Sequence, residues 1–124
     1  MKKTDALRIP DYIEHILEAL KRIFEYVDGV DEIGFMQSTV IQDAVIRNLE
    51  ILGEASRNIL RYHPNFIEKY SDVPWEDMYW MRNRVSHGYF SVDLEIIWKT
   101  IEKDLPELEQ QIKNISEEIE NPEN

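Results

Sequence analysis

Residues that interrupt helices are scarce in this chain. Its 124 residues include 4 glycines and 5 prolines, and the apolar residues between them recur at steps of three and four. This spacing is the period of an α-helix that buries one face against its neighbours. The sequence therefore predicts an all-α fold, an antiparallel bundle of about five helices.

Glycine and proline also indicate where the predicted helices begin and end. A first loop is expected between Gly29 and Gly34. The second helix should stop before Pro64, because the residue that precedes a proline disfavours the helical conformation. The predicted helices cover 10–28, 38–62 and 65–70, with a fourth that begins near 75 and a fifth that begins near 93.

The fifth predicted helix has a heptad pattern. Its apolar residues alternate steps of four and three: Leu94, Trp98, Ile101, Leu105, Leu108, Ile112, Ile115 and Ile119. Pro106 lies inside this pattern and is expected to kink the helix, which favours a bundle core over a coiled coil. We expect a single domain over 1–124, with residues 110–124 projecting as an acidic helical tail.

The charge balance restricts how such a chain could bind nucleic acid. Its net charge of -11 argues against broad binding to phosphates, which depends on lysine and arginine. The charge is uneven: residues 1–46 hold 5 basic and 9 acidic side chains, 47–90 hold 6 and 6, and 91–124 hold 3 and 10. Contact with RNA would therefore use a small local site in the neutral middle segment.

Other compositional features favour a cytoplasmic protein without a cofactor. There is no cysteine, and the three histidines are too far apart in sequence for a zinc motif. The first residues lack the apolar run of a signal peptide, and no stretch approaches the roughly 18 apolar residues of a membrane span. We expect no metal, no cofactor and no membrane segment.

The segment 82–89 carries the chemistry. It reads Arg-Asn-Arg-Val-Ser-His-Gly-Tyr and places a guanidinium, a carboxamide, an imidazole and a phenol within a few helical turns. Arg82 can hold a phosphate with a fixed fork of donors, and His87 has the side chain that titrates nearest neutral pH. These groups suit RNA cleavage without a metal.

A helical wheel separates the apolar and polar residues of the fourth helix. Met78 and Met81 fall on one side with Val85, whereas Trp80, Asn83, Arg84 and His87 fall on the other. Asn83 precedes His87 by one turn and can orient its ring. Arg82 and His87 are about 140° apart on the wheel. They could converge if the helix ends near Gly88, if the arginine wraps round, or if a second subunit completes the site, which we favour.

The expected reaction is attack of a ribose 2′-hydroxyl on the adjacent phosphate. His87 would accept the proton, and Arg82 would stabilise the charge that develops on the phosphoryl oxygens. The product would carry a 2′,3′-cyclic phosphate, and DNA would be spared. Tyr89 could orient the phosphate or accept a modification.

Several of these residues also have structural interpretations. The charged side of the second helix, which includes Arg47, Glu50 and Glu54, is typical of a solvated face but could also form a wall of the active cleft. The three tryptophans fit packing roles more readily than a nucleotide platform. Trp80 is the exception, because its polar side of the wheel suggests a surface that a partner covers or a base stacks on.

The residues resemble the HepT-like toxins of the HEPN superfamily, whose ribonuclease signature is Arg, four residues, His, one residue, Tyr. Here the signature is Arg82, His87 and Tyr89. The similarity extends over nearly the whole chain, and its further matching segments are 43–55, 73–75, 81–84 and 92–98. Matches in this order are more specific than the signature alone.

The resemblance implies an endoribonuclease toxin that acts as a homodimer, with the two signatures facing a shared cleft. It also implies a minimal nucleotidyltransferase antitoxin as partner, which silences the toxin by transferring AMP from ATP to Tyr89. Arg82 and His87 would be catalytic, with Asn83 and Arg84 supporting them. The alternative from another class is a non-catalytic HEPN module that holds a nucleotide or a nucleotidyltransferase partner.

Overall fold

The computed structural model of the chain describes residues 8–87 and 93–121, with side chains for 8–81 and 93–121. It consists of seven α-helices, with one π-helical turn, Thr100–Asp104, between the last two. The helices are α1 (Ile9–Tyr26), α2 (Glu32–Gln37), α3 (Thr39–Tyr62), α4 (Pro64–Lys69), α5 (Trp75–His87), α6 (Leu94–Lys99) and α7 (Leu105–Glu120). No strand occurs in the described residues, which confirms the all-α prediction.

Local capping explains where several helices begin. The Ser38 hydroxyl accepts a hydrogen bond from the Ile41 amide at 3.1 Å, which caps α3. Asp93 caps α6 by accepting from the amides of Glu95 and Ile96. Asp31 caps α2 by accepting from Gly34 at 2.8 Å. Helix α2 therefore begins inside the predicted loop at 29–34, because this cap stabilises a single short helix there.

Helix α3 lies at the centre of the bundle. It packs against α1 on one side and α5 on the other, while α7 packs against α1. The apolar stripes of α1 and α3 supply much of the core: Ile13, Ile16, Leu20, Ile23, Val45, Leu49, Leu52 and Ile59 are all buried. These buried residues recur at helical spacing, as the apolar pattern of the sequence predicted.

A π-helical turn precedes Pro106, where the sequence predicted a kink. Proline has no N–H, and in an α-helix its ring would collide with the carbonyl four residues earlier. The chain avoids this conflict with a wider turn over Thr100–Asp104, in which the Leu105 amide donates to the Thr100 carbonyl. Pro106 then lies in the first turn of α7, where a missing N–H costs little.

Helix α7 packs along α1, which differs from the projecting tail expected for 110–124. Ile112 and Ile115 are 0% and 2% exposed and therefore belong to the core. The outer, acidic face of α7 meets solvent. The Tyr70 hydroxyl donates to Glu118 at 2.7 Å and joins α7 to the end of α4. That residues 1–124 form a single domain remains a prediction.

Candidate active site

The first turn of α5 is fixed by two hydrogen bonds to neighbouring elements. The Ser56 hydroxyl, fully buried on α3, donates to the Trp75 carbonyl at 2.6 Å. The indole N–H of Trp75 donates to the Tyr70 carbonyl at 2.9 Å. Because the start of α5 is held in this way, the direction of the whole 13-residue helix is set by α3.

The last two turns of α5 carry most of the predicted site. Arg82, Asn83, Arg84 and His87 all have helical backbone, and His87 is the last described residue of α5. Their side chains lie outside the described residues, as does the whole of Tyr89. The convergence of these groups on one phosphate therefore stays a prediction.

Helices α3 and α5 run antiparallel along their contact. Ser56 meets Trp75 at one end, and towards the other end Leu52 and Leu49 line the same cavity as Met78 and Met81. Each step back along α3 thus corresponds to a step forward along α5. The earlier turns of α3 consequently lie beside the half of α5 that holds the motif.

The residues suggested as a cleft wall lie on the charged side of α3. Arg47 is exposed, whereas Glu50 and Glu54 are half-buried. A carboxylate oxygen of Glu54 lies 3.5 Å from a guanidinium nitrogen of Arg57, one turn further along. Such a partly exposed pair contributes at most about 1 kcal/mol. Glu54 lies near the Ser56 end of the contact, beside the start of α5, whereas Arg47 lies further towards the motif half. These positions are compatible with either interpretation, a solvated face or a wall.

The three tryptophans have different surroundings. Trp75 and Trp98 are 3% and 5% exposed and pack in the core, whereas Trp80 on α5 is 58% exposed. The ring of Tyr79 lies against Trp80, with 5.6 Å between the ring centres. The motif helix therefore presents one large aromatic side chain to solvent within its described part.

Two buried polar residues on α3, Ser56 and Asn48, were not anticipated from the sequence. Asn48 is 3% exposed, and its amide N–H donates to the Ala44 carbonyl at 2.9 Å. Its side-chain oxygen has no hydrogen-bond partner among the described residues. A buried acceptor of this kind costs about 1–3 kcal/mol. The sequence did hold a signal for the burial of Asn48, because this residue falls on the apolar face of α3 beside Leu49.

A cavity of about 320 Å³ lies between α3, α5 and α7. Its apolar lining includes Leu49, Leu52 and Met78, and its remaining lining includes four carboxylates: Asp72, Asp77, Asp104 and Glu107. Carboxylates repel phosphate, so this cavity is poorly suited to RNA. The cavity follows the Met78 side of α5, away from exposed Trp80.

The described residues contain neither a metal-binding cluster nor a membrane-spanning helix. No group of three or more histidine, aspartate or glutamate side chains in the ranges 8–81 and 93–121 could hold a metal ion. Within the described part of the chain, no helix combines the length and apolar character needed to span a membrane.

Two features indicate the class of protein: an all-α bundle, and the sequence Arg-X4-His-X-Tyr, whose first two members lie on α5. The chain belongs to the family described as "Ribonuclease HepT-like", which matches residues 16–115. The match covers both α3 and the motif helix. The resemblance seen in the sequence is therefore confirmed at the level of the family.

Individual relatives are similar over most of this chain. "Putative RNase TTE0752" of Caldanaerobacter subterraneus subsp. tengcongensis is 43% identical over 84% of this chain and 90% of its own length. "Probable ribonuclease HepT" of Thermococcus cleftensis is 40% identical over 85% and 93%. "Gamma-glutamylcyclotransferase and putative RNase MJ0434" of Methanocaldococcus jannaschii is 41% identical over 91% of this chain but only 50% of its own length. No solved structure matches the chain.

Proposed function

We propose that this chain is a metal-independent endoribonuclease and the toxin of a toxin–antitoxin pair. The observation that carries the proposal is its membership of the HepT-like family together with the complete signature, Arg82, His87 and Tyr89. The relatives' names, which include RNase and ribonuclease HepT, support the same class of reaction.

The proposed mechanism uses the ribose 2′-hydroxyl as nucleophile. His87 takes the proton of this hydroxyl as it attacks the adjacent phosphorus. Arg82 binds the phosphoryl oxygens, where negative charge increases in the transition state. The bond between phosphorus and the 5′-oxygen of the next nucleotide breaks, and that oxygen takes up a proton from water. A 2′,3′-cyclic phosphate remains on the other fragment. Asn83 orients His87, and Arg84 supports the site electrostatically.

A homodimer is part of the proposal because the two catalytic residues diverge on one helix. Five positions separate Arg82 from His87, which is about 140° around a regular α-helix, and α5 remains regular as far as His87. In a two-fold arrangement, each cleft can take groups from both copies of α5. Arg47, Glu50 and Glu54 of α3 would form a wall of that cleft.

Tyr89 is the proposed site of regulation. A minimal nucleotidyltransferase antitoxin would transfer AMP from ATP to its hydroxyl, with pyrophosphate as the leaving group. The added phosphate would repel RNA at the cleft and block it sterically. Intact mass after incubation with that partner and ATP should rise by whole AMP units in the wild-type chain. A Tyr89→Phe variant that gained the same mass would refute this assignment.

The test of the enzymatic proposal is cleavage of single-stranded RNA by the purified full chain in the presence of EDTA. Loss of a general base typically costs about 10²–10⁴-fold in rate, so His87→Ala should lose nearly all activity. Arg82→Ala should lose activity to a similar extent. The expected product has a 2′,3′-cyclic phosphate end, and the matched DNA strand should remain intact.

The main control is stability, because both substitutions must leave the fold intact. The melting temperatures of the two variants should stay close to that of the wild type. Cleavage that needs added metal, or that survives both substitutions, would contradict the mechanism. Absence of cleavage together with intact binding of a nucleotide or nucleotidyltransferase would favour the non-catalytic module instead.

A further inference from the structure

The exposed ring of Trp80 is the largest apolar group that the described part of α5 presents to solvent. It is 58% exposed, although Trp75 and Met78 on the same helix are buried. Exposing an indole forgoes the free energy that its burial would supply. The Tyr79 ring, 5.6 Å away, contacts one part of it and restricts its orientation. This ring is therefore partly held in place but open on the rest of its surface.

Its position along α5 aligns it with the motif. Seven residues separate Trp80 from His87, which is about 10 Å along the helix axis and within about 20° around it. Arg84 lies one turn after Trp80, between the two. A strand of nucleotides that runs along this side of α5 could place one phosphate at His87 and a base, a few nucleotides away, against Trp80.

The surroundings of Trp80 suit a nucleobase better than a protein surface. The centre of a protein interface is normally a contiguous apolar patch. Among the described side chains of α5, Trp80 is the only large apolar one that is exposed, and its neighbours Glu76 and Asp77 are charged and exposed. Stacking on a base needs only one open aromatic face. Glu76 and Asp77 precede Trp80 on α5, and their carboxylates would repel phosphates. Bound RNA would therefore not extend past Trp80 in the direction away from the motif.

We propose that Trp80 is a base-stacking platform that holds single-stranded RNA in register with the motif at the end of α5. The proposal rests on the proposed ribonuclease function and adds the part of the substrate that is recognised. Because every base has a π-face, the contact tolerates any sequence, with a modest preference for the better-stacking purines. Trp80 would bind substrate at a distance from the scissile bond and take no part in proton transfer.

The test uses RNA that cannot be cleaved. A 2′-O-methyl oligonucleotide lacks the nucleophilic hydroxyl, so its binding to the full chain can be measured at equilibrium. Tryptophan fluorescence reports the contact selectively, because Trp75 and Trp98 are buried. Stacking should quench the emission of Trp80 and reduce its access to acrylamide. Trp80→Ala should abolish this quenching and weaken binding about 5- to 100-fold.

Two further variants control the experiment. Trp80→Phe keeps an aromatic face and should retain most of the affinity without the fluorescence change. Tyr62→Ala removes another exposed aromatic ring, 38% exposed at the far end of α3, and should bind RNA like the wild type. Equal affinity of Trp80→Ala and wild type would overturn the proposal.

Protein contact at Trp80 would give a different result. If acrylamide cannot reach Trp80 in the free chain, and Trp80→Ala converts dimers to monomers in sedimentation, a second copy covers the ring and the proposal fails.

Cleavage of natural RNA distinguishes failure of this inference from failure of the proposed function. A wild type that cleaves RNA, with Trp80→Ala showing unchanged KM, disproves only the platform. Quenching by the oligonucleotide without any cleavage disproves only the ribonuclease.

Discussion

Helices α1 and α5 flank the same central helix, α3, yet they are held in very different ways. Helix α1 buries six side chains over its 18 residues and packs against both α3 and α7. Helix α5 packs mainly on α3, and a cavity of about 320 Å³ separates it from α7. The contact between α5 and α3 includes the buried Ser56. The difference indicates a division of roles, in which α1 stabilises the bundle and α5 presents groups to solvent.

The largest expected effect on stability lies on the α1 side. Ile16 is fully buried, so Ile16→Ala removes apolar contacts and leaves a cavity. The free energy of unfolding should fall by about 2–5 kcal/mol. Urea unfolding measures this loss. Ile33→Ala is the matched control, because Ile33 is 67% exposed and its removal should change stability by at most about 0.5 kcal/mol.

A smaller effect is expected where α5 is anchored. Ser56→Ala removes the 2.6 Å hydrogen bond from the Ser56 hydroxyl to the Trp75 carbonyl. The loss should be about 1 kcal/mol, and hydrogen exchange should accelerate in α5 more than in α1. Thr100→Val serves as control, because the bond from Thr100 to the Ile96 carbonyl is exposed. Equal acceleration in α1 and α5 would contradict the separate anchoring of the two helices.

The smallest effect concerns Tyr70, which joins α4 to α7 away from both interfaces of α3. Burial, followed by the hydrogen bond to Glu118 and its charge, raises the pKa of Tyr70 to about 12 from 10.0. A raised pKa means that the neutral phenol stabilises the fold fully below pH 10, and that this stabilisation is lost as the pH rises through 12. Tyr70→Phe should therefore melt below the wild type at pH 8, and the difference should narrow between pH 10 and 12. A difference that stays constant over this range would show that Tyr70 does not titrate as described.

Much of the fold could be predicted because its signals are local. The second helix was expected over 38–62 and is found at Thr39–Tyr62, since a serine cap begins it and Pro64 follows its end. Helix α2 was missed because it contains Gly34, which predicts a loop, and its helical signal was only the Asp31 cap. The turn before Pro106 could not be foreseen, because the wider helical turn depends on how the chain on either side packs.

The candidate site was predictable in its residues and less so in its geometry. The spacing of Arg82, His87 and Tyr89 identified the family, which needs no tertiary information. Periodicity correctly placed Met78 in the core and Trp80 on the open side of the same helix. It could not locate Asn48, because the burial of an amide depends on which helices cover it. The spacing of Arg82 and His87 does not determine how their side chains are arranged, because that arrangement depends on tertiary contacts.

The π-helical turn at Thr100–Asp104 makes the length of this segment critical. The wide turn accommodates one more residue than a regular helix would, and this sets the rotation of α6 relative to α7. Deleting one residue there would turn α6 by about 100° and carry Trp98 out of the core. Related proteins should therefore tolerate substitutions in this turn far better than changes in its length.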